Sequence, residues 1–476
     1  MSSHQWTTQG SISAPSLYPT SSAAGLKLHF VGKRLQGVPA PAIVLDAAVI
    51  KRNCRLMLDA ARSLDVGFRA HIKTHKTAEI TKLQVGEGQT AVKLVASTVS
   101  EIENVLPWLL ECKAHGREID IAYGIPIAPS FIPRLAALAR ILGTDSIGVF
   151  VDHPDHIKLL DDVSEEQWPG LVPVWINIDV GYHREGVAAT SKQLADTASA
   201  LKTSKRTRLV GTYTHMGHSY AVNSPEEALE NFAAELAGLE KGAVELLKIT
   251  GAHETASPRA KRVTLSLGAT PTATSIQNIL GETPGANKYR AQIAKANQSF
   301  EVEIHAGAYT VMDMQQLATR ARPTQSNSHP AQSLLSFSDL GIRTLVEVAS
   351  LYPDRGDKPE ALVSAGSIVL GREPCKSYPG WGVVSPYPAP LNKGSWYDPE
   401  GVRTGWIIGR ISQEHGVLTW EGPKENVREL KIGEKLLVWP NHACIAGVNF
   451  GWYLVVDGDS EAPDKIVDVW IRWRGW

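Results

Sequence analysis

Two lysines and two histidines occupy six consecutive positions in His71-Ile72-Lys73-Thr74-His75-Lys76. Crowding of cationic groups together with partial burial depresses a lysine pKa, which makes Lys73 a candidate neutral amine, able to act as nucleophile or base. A solvated basic loop is the plainer alternative. Side chains able to carry protons or bind anions recur in IDVGYHREGV, with Asp179, His183 and Arg184, and in TYTHMGHSY, with Tyr213, His215, His218 and Tyr220. A different chemistry is offered by Trp439-Pro440-Asn441-His442-Ala443-Cys444. Residues two apart in an extended segment point to the same side, and His442 and Cys444 are both good Zn²⁺ ligands. Two ligands are too few for a structural zinc and suit an open catalytic site that leaves positions for water or substrate. A buried cysteine beside a hydrogen-bonded histidine is the alternative there. Glu414-His415-Gly416 reads either as a support for that site or as a turn with a surface histidine.

The elements that must position these groups follow from the hydrophobic pattern. From about residue 66 to 310, apolar β-rich runs alternate with helical ones, the signature of βα units around a parallel sheet. The runs are 68–73, 93–98, 119–124, 147–152, 174–180, 209–215, 262–268 and 300–307, and this count predicts a (β/α)8 TIM barrel. Such barrels build their active sites at the C-terminal ends of the strands, where Lys73, Arg184 and His215 fall. The last two strands run into SLGATPT and EIHAGAYT, small-residue turns whose backbone N–H groups can wrap a phosphate. Glycine after a strand is by itself only a turn. A strand-end lysine facing two such turns meets the requirement of pyridoxal 5'-phosphate (PLP). Among the helices, Ser224-Pro225-Glu226-Glu227 predicts an N-cap, a first-turn proline and acids at the positive dipole end, opening a run to Leu247.

The run AIVLDA (42–47) lies outside the eight and should pair elsewhere. Beyond the barrel, 9 of the 13 tryptophans crowd into the last 96 residues among short strands and Gly/Pro turns, which predicts an antiparallel β domain. The expected division is a flexible arm at 1–25, a PLP-binding barrel at 48–322, and a β domain from 26–47 and 323–476 that carries the metal site. Segments 251–261 and 323–336 read as polar connections or insertions. At 476 residues the chain has ample length for a core, and a net charge of -1 argues against partners chosen by bulk charge, such as nucleic acid or an anionic membrane. Four scattered cysteines form no disulfide framework and favour a reducing compartment. The amino-terminal stretch has no signal-peptide core and no window reaches membrane-spanning length, so the expected location is cytoplasmic.

Laid side by side, these segments resemble the fold-type III PLP enzymes, and within them the eukaryotic-type D-serine dehydratases, relatives of D-threonine aldolase. The resemblance covers roughly 36 to 476. RAHIKTHK is similar to the family's Schiff-base segment, DVGYHREGV, YTHMGHSY, LGATPT and HAGAYTVMD follow in the same order, and SQEHG with PNHAC is similar to its metal end. The resemblance implies an alanine-racemase-type barrel in which AIVLDA joins the β domain. It makes Lys73 the Schiff-base lysine and Arg184 the partner of the PLP phenolic oxygen. Tyr213 and Tyr220 would contact the cofactor with His215 beside its ring, and Gly268, Ala269, Thr270, Gly307 and Ala308 would hold its phosphate. His442 and Cys444 would bind Zn²⁺. Ala70 and Ala308 depart from the proline and asparagine usual in the family. The implied reaction is β-elimination of D-serine to pyruvate and ammonia, with Lys73 as general base and Zn²⁺ as Lewis acid for the hydroxyl, in a homodimer acting on a small D-amino acid. Retro-aldol cleavage of D-threonine and a non-catalytic PLP-binding role are the alternatives.

Overall fold

The first strand, β1 (Ala42–Asp46), belongs to a different sheet from the eight strands that follow it. Those eight, β2 (Gly67–His71), β3 (Val92–Ala96), β4 (Ile119–Pro126), β5 (Ile147–Val151), β6 (Val172–Asn177), β7 (Thr207–Thr214), β8 (Thr264–Leu267) and β9 (Glu301–Ala306), form a closed parallel barrel in chain order. β2 pairs with β9 to close it, Gly67 opposite Glu303 and Ala70 opposite Ala306. The computed structural model describes residues 14–88, 90–251, 262–323, 335–387 and 395–476. Most of the expected segments 251–261 and 323–336 therefore lie outside the described residues.

Barrel strands are covered on both faces, which is why they read as nearly unbroken apolar runs. Every residue of β5 and β6 is buried. Val95, Ala122, Phe150, Trp175 and Tyr213 pack together as one apolar group on five consecutive strands. Beside them, the fully buried Arg69 pairs with Asp120 at 2.7 Å and Glu303 at 2.6 Å, its guanidinium 4.8 Å from the Trp175 ring centroid. Burial opposes ionisation of Glu303, but Arg69 and Lys93 outweigh it and hold the carboxyl at about 2. The helix Pro225–Thr250 starts as expected, with Ser224 Oγ accepting the Glu227 N–H at 3.2 Å, and ends at the left-handed Gly251.

The second sheet contains β1 and eight strands from the other end of the chain: β10 (Ile342–Tyr352), β11 (Glu360–Val363), β12 (Gly382–Val384), β13 (Gly405–Ile411), β14 (Gly416–Glu421), β15 (Lys435–Pro440), β16 (Trp452–Val456) and β17 (Ile466–Ile471). A β10–β11 pairing turns six of them into a small barrel-like ring, from which β1, β16 and β17 extend. Pairing is antiparallel apart from β1 with β16. The tryptophans are structural: Trp439, fully buried on β15, meets Trp396 and Phe337 at the junction of the two domains. Of the arm, residues 1–13 lie outside the described residues, whereas 14–25 include a short helix, Ala14–Leu17, and the start of Ala23–Phe30. That second helix is tied down by a 2.8 Å Lys27–Asp468 ion pair, and Tyr18 stands edge-on to Trp476. Among the described residues no helix is long and apolar enough to cross a membrane.

Candidate active site

A cavity of about 730 Å³ opens at the C-terminal ends of the barrel strands and is roofed by the β domain. From the barrel it is lined by His71, Lys73 and Thr74 after β2, Arg184 after β6, His215 and Tyr220 after β7, Gly268, Ala269 and Thr270 after β8, and His305, Gly307 and Ala308 at the end of β9. The β domain contributes Glu373, Pro374, Lys376, His442, Cys444 and Ile445. Every residue expected at the site lines this cavity except Tyr213. That ring is buried against His305 instead, and borders a small adjoining pocket with Arg184 and His215.

Burial changes the chemistry of the first segment. His71 and His75 are pushed far below the usual histidine range, His71 by burial and then by the Lys73 charge, His75 by burial to about 3. Lys76 turns away and pairs with the buried Glu101 at 2.9 Å. The expected crowd of cations around Lys73 therefore reduces to Lys73 among neutral imidazoles, because His215 and His305 are held neutral by burial as well. Among the described residues Lys73 Nζ has no hydrogen bond or ion pair.

The two phosphate-sized turns are held tightly. Gly268 adopts a φ of +148°, and a Cβ there would sit 2.1 Å from the His305 carbonyl oxygen, so only glycine fits this approach of β8 to β9. Thr272 brackets the turn, accepting the Ala269 N–H at 3.0 Å and donating to the Ala269 carbonyl at 3.2 Å. The first N–H groups of the helix Thr270–Ser275 and of the turn Ala308–Thr310 have no acceptor inside their own turns.

On the opposite wall, Asp313 receives the N–H of Gln316 at 2.9 Å and that of Ala443 at 2.8 Å, docking the PNHAC segment onto the barrel. Asn441 donates to the carbonyls of Glu373 and Gly380, fixing the loop that brings Glu373 and Lys376 to the cavity. Thr74 Oγ1 lies 3.2 Å from Cys444 Sγ. Burial opposes charge on both members of the His442–Cys444 pair. Their mutual contact prevails, raising the imidazole to about 9 and lowering the thiol. Glu414 and His415 sit in the exposed β13–β14 turn and do not line the cavity, so the support reading of that segment gives way to the turn reading. His183 is exposed and paired with Asp179. Sequence reasoning missed Thr74, Glu373, Lys376 and Asn441, which reach the site through tertiary packing. Only the adjacency of Thr74 to Lys73 and of Asn441 to His442 hinted at them.

Residues 341–456 match the family described as "Putative serine dehydratase domain", and residues 45–260 match the alanine racemase N-terminal domain. The D-serine dehydratase of Schizosaccharomyces pombe is 33% identical, covering 95% of both chains, and that of Saccharomyces cerevisiae is 29% identical, covering 94% of this chain and 99% of its own. Among solved structures, D-threo-3-hydroxyaspartate dehydratase from Delftia sp. has a TM-score of 0.67 at 24% identity, covering 93% of this chain and 100% of that one. A mutant of D-threo-3-hydroxyaspartate dehydratase with alanine for a cysteine, in the metal-free form, has a TM-score of 0.68 at 24% identity and the same coverage. At these identities the structural likeness speaks to the fold.

Proposed function

The chain belongs to the D-serine dehydratase family, and from that membership we propose that it removes water from D-serine, with PLP held at Lys73 and Zn²⁺ on His442 and Cys444, to yield pyruvate and ammonia. It is an enzyme of the lyase class. The observation that carries the finer reading is the contact of Thr74 with Cys444, which sets the amine-bearing turn and the thiol–imidazole pair on one cavity. A protein that only stored a cofactor has no need of the second site.

The residues fit both groups. Among the described residues Nδ1 of His71 and Nε2 of His305 are buried without hydrogen-bond partners on the cavity lining, a deficit that a polar ligand relieves. The free N–H groups at Thr270 and Ala308 suit a phosphate ester. His442 Nδ1 is likewise without a hydrogen bond. Among the described residues no third His, Cys, Asp or Glu completes a metal cluster, which suits an open site rather than a structural one. When bound, the pyridine ring supplies delocalisation of charge from Cα, and Zn²⁺ supplies a Lewis acid for the departing hydroxyl.

Lys73 Nζ would hold the cofactor and, as a free amine, would take the proton from the substrate's Cα. Arg184, at the cavity edge, would orient the cofactor's phenolic oxygen, and Tyr220 closes the wall beside Thr270. Lys376 at the mouth is a cation within reach of a substrate carboxylate, and its ammonium donates to the Val222 carbonyl. The reading extends to a cytoplasmic homodimer: Cys54, Cys112, Cys375 and Cys444 are all free thiols, as a reducing compartment favours, and the family resemblance implies the dimer.

A panel of D-amino acids scored for keto-acid release, with and without added Zn²⁺, tests the proposal. Zinc-dependent pyruvate from D-serine is expected. No pyruvate from D-serine, or full activity after chelation, overturns it, and glycine from D-threonine as the main product favours the aldolase reading.

A further inference from the structure

Glu235 has no part in the chemistry above, yet it is fully buried on the helix Pro225–Thr250, at a position between Phe232 and Leu236 where the apolar stripe calls for a hydrophobic residue. Its Oε1 accepts the Met216 N–H at 2.9 Å. The Thr272 hydroxyl and the Gly268 N–H approach the same carboxyl, while among the described residues Oε2 has no partner in good hydrogen-bonding geometry. Met216 follows His215 on the segment leaving β7, and the Gly268 carbonyl accepts from His215 Nδ1 at 3.0 Å. One carboxyl thus reaches the segments leaving both β7 and β8. It stands behind Gly268, Ala269 and Thr270, which line the cavity. A buried carboxyl without an ion-pair partner is costly, and such groups persist where they organise a site.

We propose that Glu235 is a positioning residue that shapes the Gly268–Thr270 turn and thereby sets the affinity for the phosphate ester of the cofactor. The inference rests on the PLP reading of the cavity. Burial lifts the carboxyl to about 7, against the pull of Thr272 and the N–H groups of Met216 and Gly268. Below that pH it is neutral, able to donate as well as accept. Above it, an anion stands behind a site that receives a second anion, and phosphate binding weakens. The titratable groups around it stay unchanged over this range: Tyr213 and His215 at the end of β7 and His305 on β9 are held neutral by burial. Among the described residues no side chain of the helices Lys192–Thr203, Thr270–Ser275 or Pro284–Ser299 forms an ion pair with it.

The test uses the full chain stripped of cofactor and titrated with PLP and with pyridoxal, which lacks the phosphate, at about pH 6 and about pH 8.5, bracketing the carboxyl's titration. Relative to Glu235→Gln, wild-type PLP affinity is expected to be about tenfold weaker at the higher pH, one pKa unit of repulsion, with no such difference for pyridoxal. Glu235→Gln, which keeps the acceptor for Met216, is expected to match the wild type at the lower pH and to bind PLP more tightly than it at the higher. Thr272→Val, which loosens the bracket and also removes a hydroxyl that lowers the pKa of the Glu235 carboxyl, is expected to weaken PLP at both. A Glu235→Gln profile that overlays the wild type overturns the assignment while leaving the cofactor reading intact. Failure of the wild type itself to bind PLP overturns the cofactor reading. Near-ultraviolet circular dichroism of each variant separates misfolding from loss of binding.

Discussion

The Tyr213 ring lies flat on the His305 imidazole, with centroids 4.1 Å apart and planes 10° from parallel. The contact joins β7 to β9 across the barrel mouth and rests on Phe150, whose ring centroid is 4.4 Å from that of Tyr213. It fixes the face that His305 shows to the cavity. Tyr213→Phe keeps the stack and is expected to cost under about 1.5 kcal/mol, whereas Tyr213→Ala opens a void at about 3–5 kcal/mol. Thermal unfolding of the two variants checks this. A milder effect for alanine than for phenylalanine contradicts a packing role.

Among the described residues Lys73 Nζ makes no hydrogen bond or ion pair, so its removal should cost chemistry rather than fold. Lys73→Ala is expected to melt near the wild-type temperature, to form no borohydride-fixed adduct with PLP by mass spectrometry, and to release pyruvate from D-serine about 10²–10⁴-fold more slowly.

Thr74 braces Cys444 across the domain junction. Thr74→Val removes that support from a proposed ligand and is expected to weaken zinc about 10–100-fold while PLP is retained. Cys444→Ser should remove most of the metal. Metal content and cofactor absorbance, measured on the same sample, distinguish loss of zinc from loss of the whole site.

Inside the barrel, Glu303 is held at about 2 by Arg69 and Lys93, from an ordinary value of 4.5. A depressed folded-state pKa contributes stability that is present above 4.5 and disappears as pH falls from 4.5 to 2. The contribution is on the order of 3 kcal/mol. Acid unfolding should therefore steepen in that window. Glu303→Gln is expected to flatten the dependence there while lowering stability at neutral pH by about 3–5 kcal/mol, because Arg69 loses one of its two carboxylate partners and keeps Asp120.

Much of this architecture is legible in the residues. Strands covered on both faces announce themselves as apolar runs, and AIVLDA falls outside the barrel because its partners lie near residues 343 and 454. Local pattern says little about charge. His71 and His75 look cationic in sequence and become neutral through burial, and Lys76 is drawn off by Glu101 from the helix Val99–Ala114. The loop holding Glu373 and Lys376 has no periodicity, and its place at the cavity depends on Asn441, more than sixty residues later. Glu235 did leave a trace, a lone acid in the apolar stripe with Phe232, Leu236 and Leu239.

The pairing of β1 with β10 and β16 also sets a schedule for synthesis. Val44 finds Arg343 only after about 300 further residues have been made, and Leu454 only after about 410. At roughly 5–20 residues per second, the AIVLD strand waits on the order of 15–60 s for its first neighbour and longer for its second. All eight barrel strands emerge during that wait, with the roof of the cavity still unmade. The nascent chain therefore carries an unpaired apolar edge through most of translation, and the enzyme becomes competent only as its last strands leave the ribosome.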